Sequence, residues 1–183
     1  GEAFFNDKMQ PVIDELKKDG LLHESEGAQV VDMGPDKNPA IIVKSDGTSI
    51  YLTRDLAAAI YRKKKYHFVK MIYVVGNEQK QHFVELKNVL KKMGYDWADE
   101  IYHVPFGLIT QNGKKLSTRR GNVVFLDQVL KDAVSLAKKQ IQKKNPNLPN
   151  QDQVAHDVGV GAVIFHDLKN NRTDDFDFNL EEV

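Results

Sequence analysis

The chain has 183 residues, 41% of them hydrophobic, enough to bury a sizeable core in one domain with an appendage. Its 26 basic and 26 acidic residues cancel, which excludes a protein that binds polyanions through overall charge; any nucleic-acid contact must be local, and DNA is not an expected partner. The absence of cysteine excludes a disulfide framework and thiolate metal sites, and no apolar run approaches the roughly 20 residues that cross a bilayer, so a cytoplasmic protein without a membrane partner is the expectation.

Met9, Val12, Ile13 and Leu16 recur at helical spacing, with Asp7 before them and Gly20 after, which predicts an amphipathic helix over 7–18. Two β-rich runs follow, 28–33 and 40–44, separated by the turn-rich Gly34-Pro35-Asp36-Lys37-Asn38-Pro39. A third run, 48–52, comes after Asp46-Gly47, and together they predict a small antiparallel insertion within about 24–52. Thr53 is a suitable cap for a helix over 54–64 that turns Leu56, Ala59 and Ile60 inward and puts Asp55 in its first turn.

From Val69 the pattern changes. Met71-Ile72-Tyr73-Val74-Val75 is a continuous apolar strand ended by Gly76. Phe83, Leu86, Leu90 and Met93 mark a helix stopped by Gly94, and Ile101-Tyr102-His103-Val104 is a second apolar strand. Strand, helix and strand in this order predict a βαβ unit with a right-handed crossover and a parallel sheet. Ligands collect at the carboxyl ends of such strands, here 76–79 and 105–109. Helices over 126–142 and 151–168 then flank the linker Asn145-Pro146-Asn147-Leu148-Pro149-Asn150, which is the candidate boundary between residues 1–144 and 145–183.

Between these parts lies Gly113-Lys114-Lys115-Leu116-Ser117-Thr118-Arg119-Arg120-Gly121-Asn122. Four cations and two hydroxyls between glycines predict a mobile loop rather than a core element, with the donors that phosphate oxygens require. The G-x-x-x-x-G-K-[ST] spacing of a Walker loop is missing. A solvated basic loop is the alternative, but Val123-Val124-Phe125-Leu126 re-enters an apolar segment at once and sets the charges at the mouth of packed structure.

Lys115-Leu116-Ser117-Thr118-Arg119 resembles the second signature (Lys-Met-Ser-Lys-Ser) of class I aminoacyl-tRNA synthetases, and its continuation through Val124 is similar to the arginyl-tRNA synthetase version. The run 46–57, ending Tyr51-Leu52-Thr53-Arg54-Asp55-Leu56-Ala57, resembles the arginine-pocket segment of that family. Glu78-Gln79-Lys80-Gln81-His82-Phe83 and His103-Val104-Pro105-Phe106-Gly107 fall in the family's order as well. The resemblance runs the length of the chain. It implies an α/β protein, the second half of a Rossmann-like parallel-sheet nucleotide-binding fold with a small antiparallel insertion and trailing helices. It also implies arginine, ATP with magnesium, and tRNA(Arg) as partners of the intact enzyme.

Recognition of a guanidinium needs a carboxylate, because a charge-assisted bidentate pair supplies both energy and geometry. The resemblance assigns Tyr51, Asp55, Gln79 and Glu2 to the arginine pocket. It assigns His82, Phe106, Gly107, Lys114, Lys115, Leu116 and Ser117 to ATP, and Lys115, Ser117 and Arg119 to catalysis. Each has a plainer alternative. Asp55 would compensate a helix dipole, His82 would face solvent, and Phe106-Gly107 would be a turn leaving a strand. His103 inside its apolar strand reads as a core histidine, and His67, His156 and His166 lack metal-ligand spacing, so no protein-held metal is expected.

Two departures matter. Thr118 replaces the signature's second lysine, which leaves the transition-state charge to Lys115, Arg119, Lys114 or a residue outside this chain. No His-x-Gly-His-like first signature occurs in the 183 residues. With Gly as first residue and an acidic stretch at 174–183, the chain reads as an excised fragment, inactive alone. A non-catalytic nucleotide- or RNA-binding module and a class I synthetase for another amino acid are the competing readings.

Overall fold

The computed structural model describes residues 1–111, 114–115, 125–177 and 179. The chain forms two compact units, one ending at Pro105 and the other beginning at Phe106.

In the first unit a 3-10 helix, Glu2–Lys8, runs into α1 (Met9–Lys18). Phe5 packs edge-on against Tyr61 with ring centroids 5.8 Å apart, and Val12 and Leu16 are buried. The antiparallel sheet then begins earlier than its sequence pattern indicates. β1 (Leu22–Ser25) pairs with β2 (Ala28–Val31), which pairs with β3 (Ala40–Val43). Glu26 and Gly27, both at positive φ (52° and 78°), make the β1–β2 turn, the geometry whose twist matches paired strands.

The strand expected over 48–52 is not formed. Only an isolated bridge joins Ser49 to Val43, and α2 (Tyr51–Tyr66) starts three residues before the expected Arg54. Two forces decide this. Asp46 Oδ1 accepts from the backbone N (2.9 Å) and hydroxyl (2.6 Å) of Thr48, which turns the chain sharply after Gly47. Leu52, Leu56 and Ala59, at i, i+4 and i+7, are all buried, so helical periodicity outweighs the strand propensity of Tyr51 and Leu52. Thr53 is therefore not the cap; Ile50 holds that position, and the Thr53 hydroxyl, fully buried, donates to the Ile42 carbonyl at 2.5 Å. That bond ties the first turn of α2 to β3.

β4 (Met71–Gly76), a 3-10 turn (Asn77–Gln79), α3 (Lys80–Lys92), a second 3-10 turn (Asp96–Glu100) and β5 (Ile101–Phe106) complete this part. β4 and β5 are hydrogen-bonded neighbours joined through α3, the strand–helix–strand order expected from the sequence. Gly94 at φ +82° stops α3, a conformation that disfavours any residue with a Cβ. The core gathers Leu16, Ile42, Leu56, Leu86, Leu90 and Ile101.

In the second unit β6 (Ile109–Gln111) pairs antiparallel with β7 (Lys114–Lys115) and parallel with β8 (Phe176–Asp177). Lys114 and Lys115 thus belong to a strand, opposite Gln111 and Thr110, and not to the expected mobile loop. Backbone pairing decides local structure there, whatever the side-chain composition. The remainder of that loop, 116–122, lies outside the described residues. The acidic tail was not read as strand, yet Phe176 N donates to the Leu108 carbonyl (3.1 Å) and Leu108 N to Asp175 Oδ1 (2.6 Å). α4 (Leu126–Lys144) and α5 (Gln151–Leu168) pack against each other, and the Pro-interrupted 145–150 is the turn between them. Ala133, Ala155 and Gly159 are buried at their contact.

Candidate functional site

The start of α2 and the first turn of α3 build the most organised polar cluster of the first unit. Since α2 begins at Tyr51, Tyr51 and Asp55 stand one helical turn apart on one face. They are not the strand end and first helical turn that the sequence suggested. No acidic residue lies in the first turn of α2, so Asp55 does not occupy the position in which a carboxylate compensates a helix dipole.

Across from Asp55, on α3, is His82. Its Nε2 lies 2.7 Å from Asp55 Oδ2, and the two side chains are only 16% and 21% exposed. The His82 ring also rests against Tyr51, with centroids 4.9 Å apart and planes tilted by 49°. It also meets Phe83 edge-on at 5.2 Å, and Phe83 stacks on His103 at 4.4 Å. His103 fulfils its expected core role, with Nε2 2.9 Å from the Val75 carbonyl.

Partial burial raises the phenol pKa of Tyr51, and the carboxylates of Asp55 and Glu2 raise it further, while Arg54 lowers it. The hydroxyl therefore stays protonated and is a donor at neutral pH. The Tyr73 phenol is also held above its ordinary value, mainly by burial; Asp55 adds to this, and Arg62, whose Nη1 donates to the Tyr73 oxygen at 3.2 Å, opposes it.

Glu2 comes to the same end of α2, where its Oε2 accepts from Arg54 Nη1 at 3.1 Å; the Glu2 side chain is 72% exposed. Arg54 was not foreseen, since the sequence offers only a cation next to Asp55. Its Nε is buried with no partner among the described residues. Gln79, half-buried, holds the residue position before α3, just beyond the carboxyl end of β4, without a side-chain capping bond.

Of the expected ATP side, Phe106 ends β5 and is 41% exposed. Gly107 follows, and the close approach that its lack of a side chain permits is occupied by the chain itself. A Cβ there would lie 2.0 Å from the Asp174 carbonyl oxygen, and Gly107 N donates to the Arg172 carbonyl at 2.8 Å. Lys114 and Lys115 lie on β7. Leu116, Ser117, Thr118 and Arg119 lie outside the described residues. Tyr51, Asp55, Glu2 and His82 are thus brought together in the first unit.

The profile of the family described as tRNA synthetases class I (R), catalytic domain, matches residues 1–180. Among curated proteins, the arginine–tRNA ligase of Lactobacillus acidophilus is 85% identical over 183 residues, and that of Lactobacillus johnsonii is 75% identical. Each alignment takes in 100% of this chain and 33% of the relative. The chain therefore spans about a third of the length of the curated relatives it matches. Among solved structures, the arginyl-tRNA synthetase of Plasmodium falciparum superposes with a TM-score of 0.77 at 26% identity, over 99% of this chain and 31% of that one. The Thermus thermophilus enzyme gives the same TM-score at 21% identity over 98% of this chain, a likeness of fold. With the α/β architecture and the whole-length match in agreement, the chain belongs to the class I (R) tRNA synthetase family, in its catalytic domain.

Proposed function

We propose that this chain is part of an arginine–tRNA ligase and contributes its arginine pocket and one side of its ATP site. In the intact enzyme a carboxylate oxygen of arginine attacks the α-phosphorus of magnesium-bound ATP, pyrophosphate departs with the electrons of the broken P–O bond, and the arginyl group then passes to the tRNA 3′ end. Protein synthesis in the cytoplasm is the setting for this reaction. The observation that supports the reading best is the half-buried Asp55 carboxylate beside the Tyr51 ring on one face of α2. An enclosed carboxylate next to an aromatic ring is the chemistry that selects a planar, always-charged guanidinium over other amino-acid side chains. The relatives' names point to the same amino acid.

In this reading Asp55 takes the guanidinium, Tyr51 covers it and donates its hydroxyl, and Gln79 and Glu2 line the pocket. Phe106 and Gly107 meet the adenine side, and Lys114, Lys115, Leu116 and Ser117 the phosphates. Lys115, Ser117 and Arg119 stabilise the charge that develops on the departing pyrophosphate, and much of that binding appears only as the reaction proceeds. The test is ATP–pyrophosphate exchange by the full-length protein with each amino acid in turn, with and without tRNA. Exchange with arginine alone is expected. Exchange driven by a different amino acid, or none with any, overturns the assignment. The 183-residue chain by itself, lacking a His-x-Gly-His segment, is expected to form no arginyl-adenylate.

A further inference from the structure

His82 was expected at the nucleotide, yet the contacts it makes are with the residues assigned to arginine. Its Nε2 is 2.7 Å from Asp55 Oδ2, a bond that links α2 to α3 across 27 positions of sequence. Its ring meets Tyr51 at 4.9 Å and Phe83 at 5.2 Å, and Phe83 in turn meets Tyr73 at 4.8 Å and His103 at 4.4 Å. An imidazole packed against two rings and bonded to a carboxylate restricts that carboxylate's rotamer.

We propose that His82 is a positioning residue of the arginine pocket: neutral, it donates to Asp55 Oδ2 and orients the carboxylate for the guanidinium; protonated, it competes with the guanidinium for the same oxygen. The inference rests on the reading of Asp55 as the guanidinium's partner. An ionised carboxylate has about four acceptor sites on two oxygens, so one bond from a neutral imidazole leaves room for a bidentate guanidinium. An imidazolium brings a second cation to the same carboxylate, and two cations within a few ångströms in a half-enclosed site repel. Protonation of the imidazole then weakens arginine binding.

The other charged and titratable groups around His82 do not substitute for it in this role. From α2 come Tyr51, whose phenol is held protonated, and Arg54, which is bonded to Glu2 of the opening 3-10 helix. From β4 comes Tyr73, bonded by Arg62, and from β5 His103, bonded to the Val75 carbonyl and reaching His82 only through Phe83.

The experiment measures KM for arginine and for ATP, together with kcat, from pH 6 to 8.5 in the full-length enzyme and its His82→Phe, His82→Gln and Asp55→Asn variants. His82→Phe keeps a ring against Tyr51 and loses the donor; the arginine KM rises about ten- to hundredfold, as for loss of a hydrogen bond to a charged group, with the ATP KM unchanged. His82→Gln keeps an N–H donor that does not titrate, restores most of the arginine affinity, and flattens the rise in arginine KM that the parent shows toward pH 6. A rise in the ATP KM in His82→Phe, with arginine unaffected, places His82 at the nucleotide and overturns the proposal. So does a His82→Gln enzyme that keeps the parent's full pH slope. Asp55→Asn separates the pocket from the role of His82 within it. If it raises the arginine KM while His82→Phe does not, only the role of His82 fails; if it leaves arginine kinetics intact, the pocket reading fails and takes the proposal with it.

Discussion

The two units organise their candidate site residues by different means. In residues 1–105 the cluster is built from side chains: Asp55, His82, Tyr51 and Glu2 come from three separate elements and meet through rings, carboxylates and one buried hydroxyl strut, Thr53 to Ile42. In the second unit the segment that carries Phe106, Gly107, Lys114 and Lys115 is organised by main chain, with β6 between β7 and β8 and the Gly107 amide on the Arg172 carbonyl. A side-chain site is read and broken one residue type at a time. A main-chain site is indifferent to most substitutions and sensitive to those that alter backbone space.

The largest expected effect tests the side-chain half. On the proposed reading of Asp55 as the guanidinium's partner, Asp55→Asn in the full-length protein keeps shape and removes charge, leaving the substrate guanidinium in a half-buried site without its counter-ion. Losing one partner of a desolvated pair costs about 2–5 kcal/mol, or roughly 30- to several-thousand-fold in arginine KM or kcat/KM. The ATP KM should stay near normal and the melting temperature nearly unchanged. A lowered melting temperature with intact arginine kinetics would show Asp55 to be structural instead.

Gly107→Ala tests the main-chain half. The new methyl would sit 2.0 Å from the Asp174 oxygen, a backbone atom that cannot rotate aside, so the strand pairing must shift; overpacking of this kind costs about 1–3 kcal/mol. The Leu108 and Phe176 amides, bonded to Asp175 and to the Leu108 carbonyl, should lose protection from hydrogen exchange. If protection is retained and only the ATP KM rises, the glycine serves the approach of the base and not that of Asp174.

Thr53→Val, nearly isosteric, sharpens the contrast from within the first unit. It strips the Ile42 carbonyl of a fully buried partner, and about 1–3 kcal/mol of stability should go with it. Because the hydroxyl also pins the turn that carries Tyr51 and Asp55, the arginine KM should rise with it. A variant that loses stability and leaves arginine kinetics untouched would show that the first turn of α2 is held by Leu52 and Leu56 alone.

The same distinction governs what the sequence could reveal. α3 was legible because strong apolar periodicity ran into an unambiguous stop, Gly94, and α5 because it follows the Pro-bounded linker. The beginning of α2 was not, since Tyr51 and Leu52 are good strand residues, and the Asp46–Thr48 turn together with burial of Leu52, Leu56 and Ala59 makes them helical. Two residues, Phe176 and Asp177, are too short a run for any pattern, and their pairing with Ile109 and Thr110 comes from 67 positions away. Asp55 and His82 were each singled out by type and order along the chain. Their contact was not, because a hydrogen bond between two helices 27 residues apart leaves no local spacing to read.

The smallest effect concerns a residue that belongs to no site. Tyr95, just past α3, donates its hydroxyl to Glu15 Oε1 of α1 at 2.7 Å, and burial, reinforced by that carboxylate, raises its phenol pKa. Above about pH 10 the unfolded chain gives up the phenolic proton while the folded chain keeps it, so the folded state binds more protons and stability falls as pH climbs from 10 toward the raised value. Below pH 10 the contribution is fully present. Tyr95→Phe removes a neutral donor from a half-exposed charged acceptor that water can re-solvate, and should cost about 1 kcal/mol at pH 7. The variant should then lose less stability than its parent between pH 9.5 and 11.5, so the two denaturant midpoints converge. Parallel curves over that interval would mean that the phenol ionises as readily in the folded chain as in the unfolded one, and that the bond to Glu15 does not hold α1 to the end of α3.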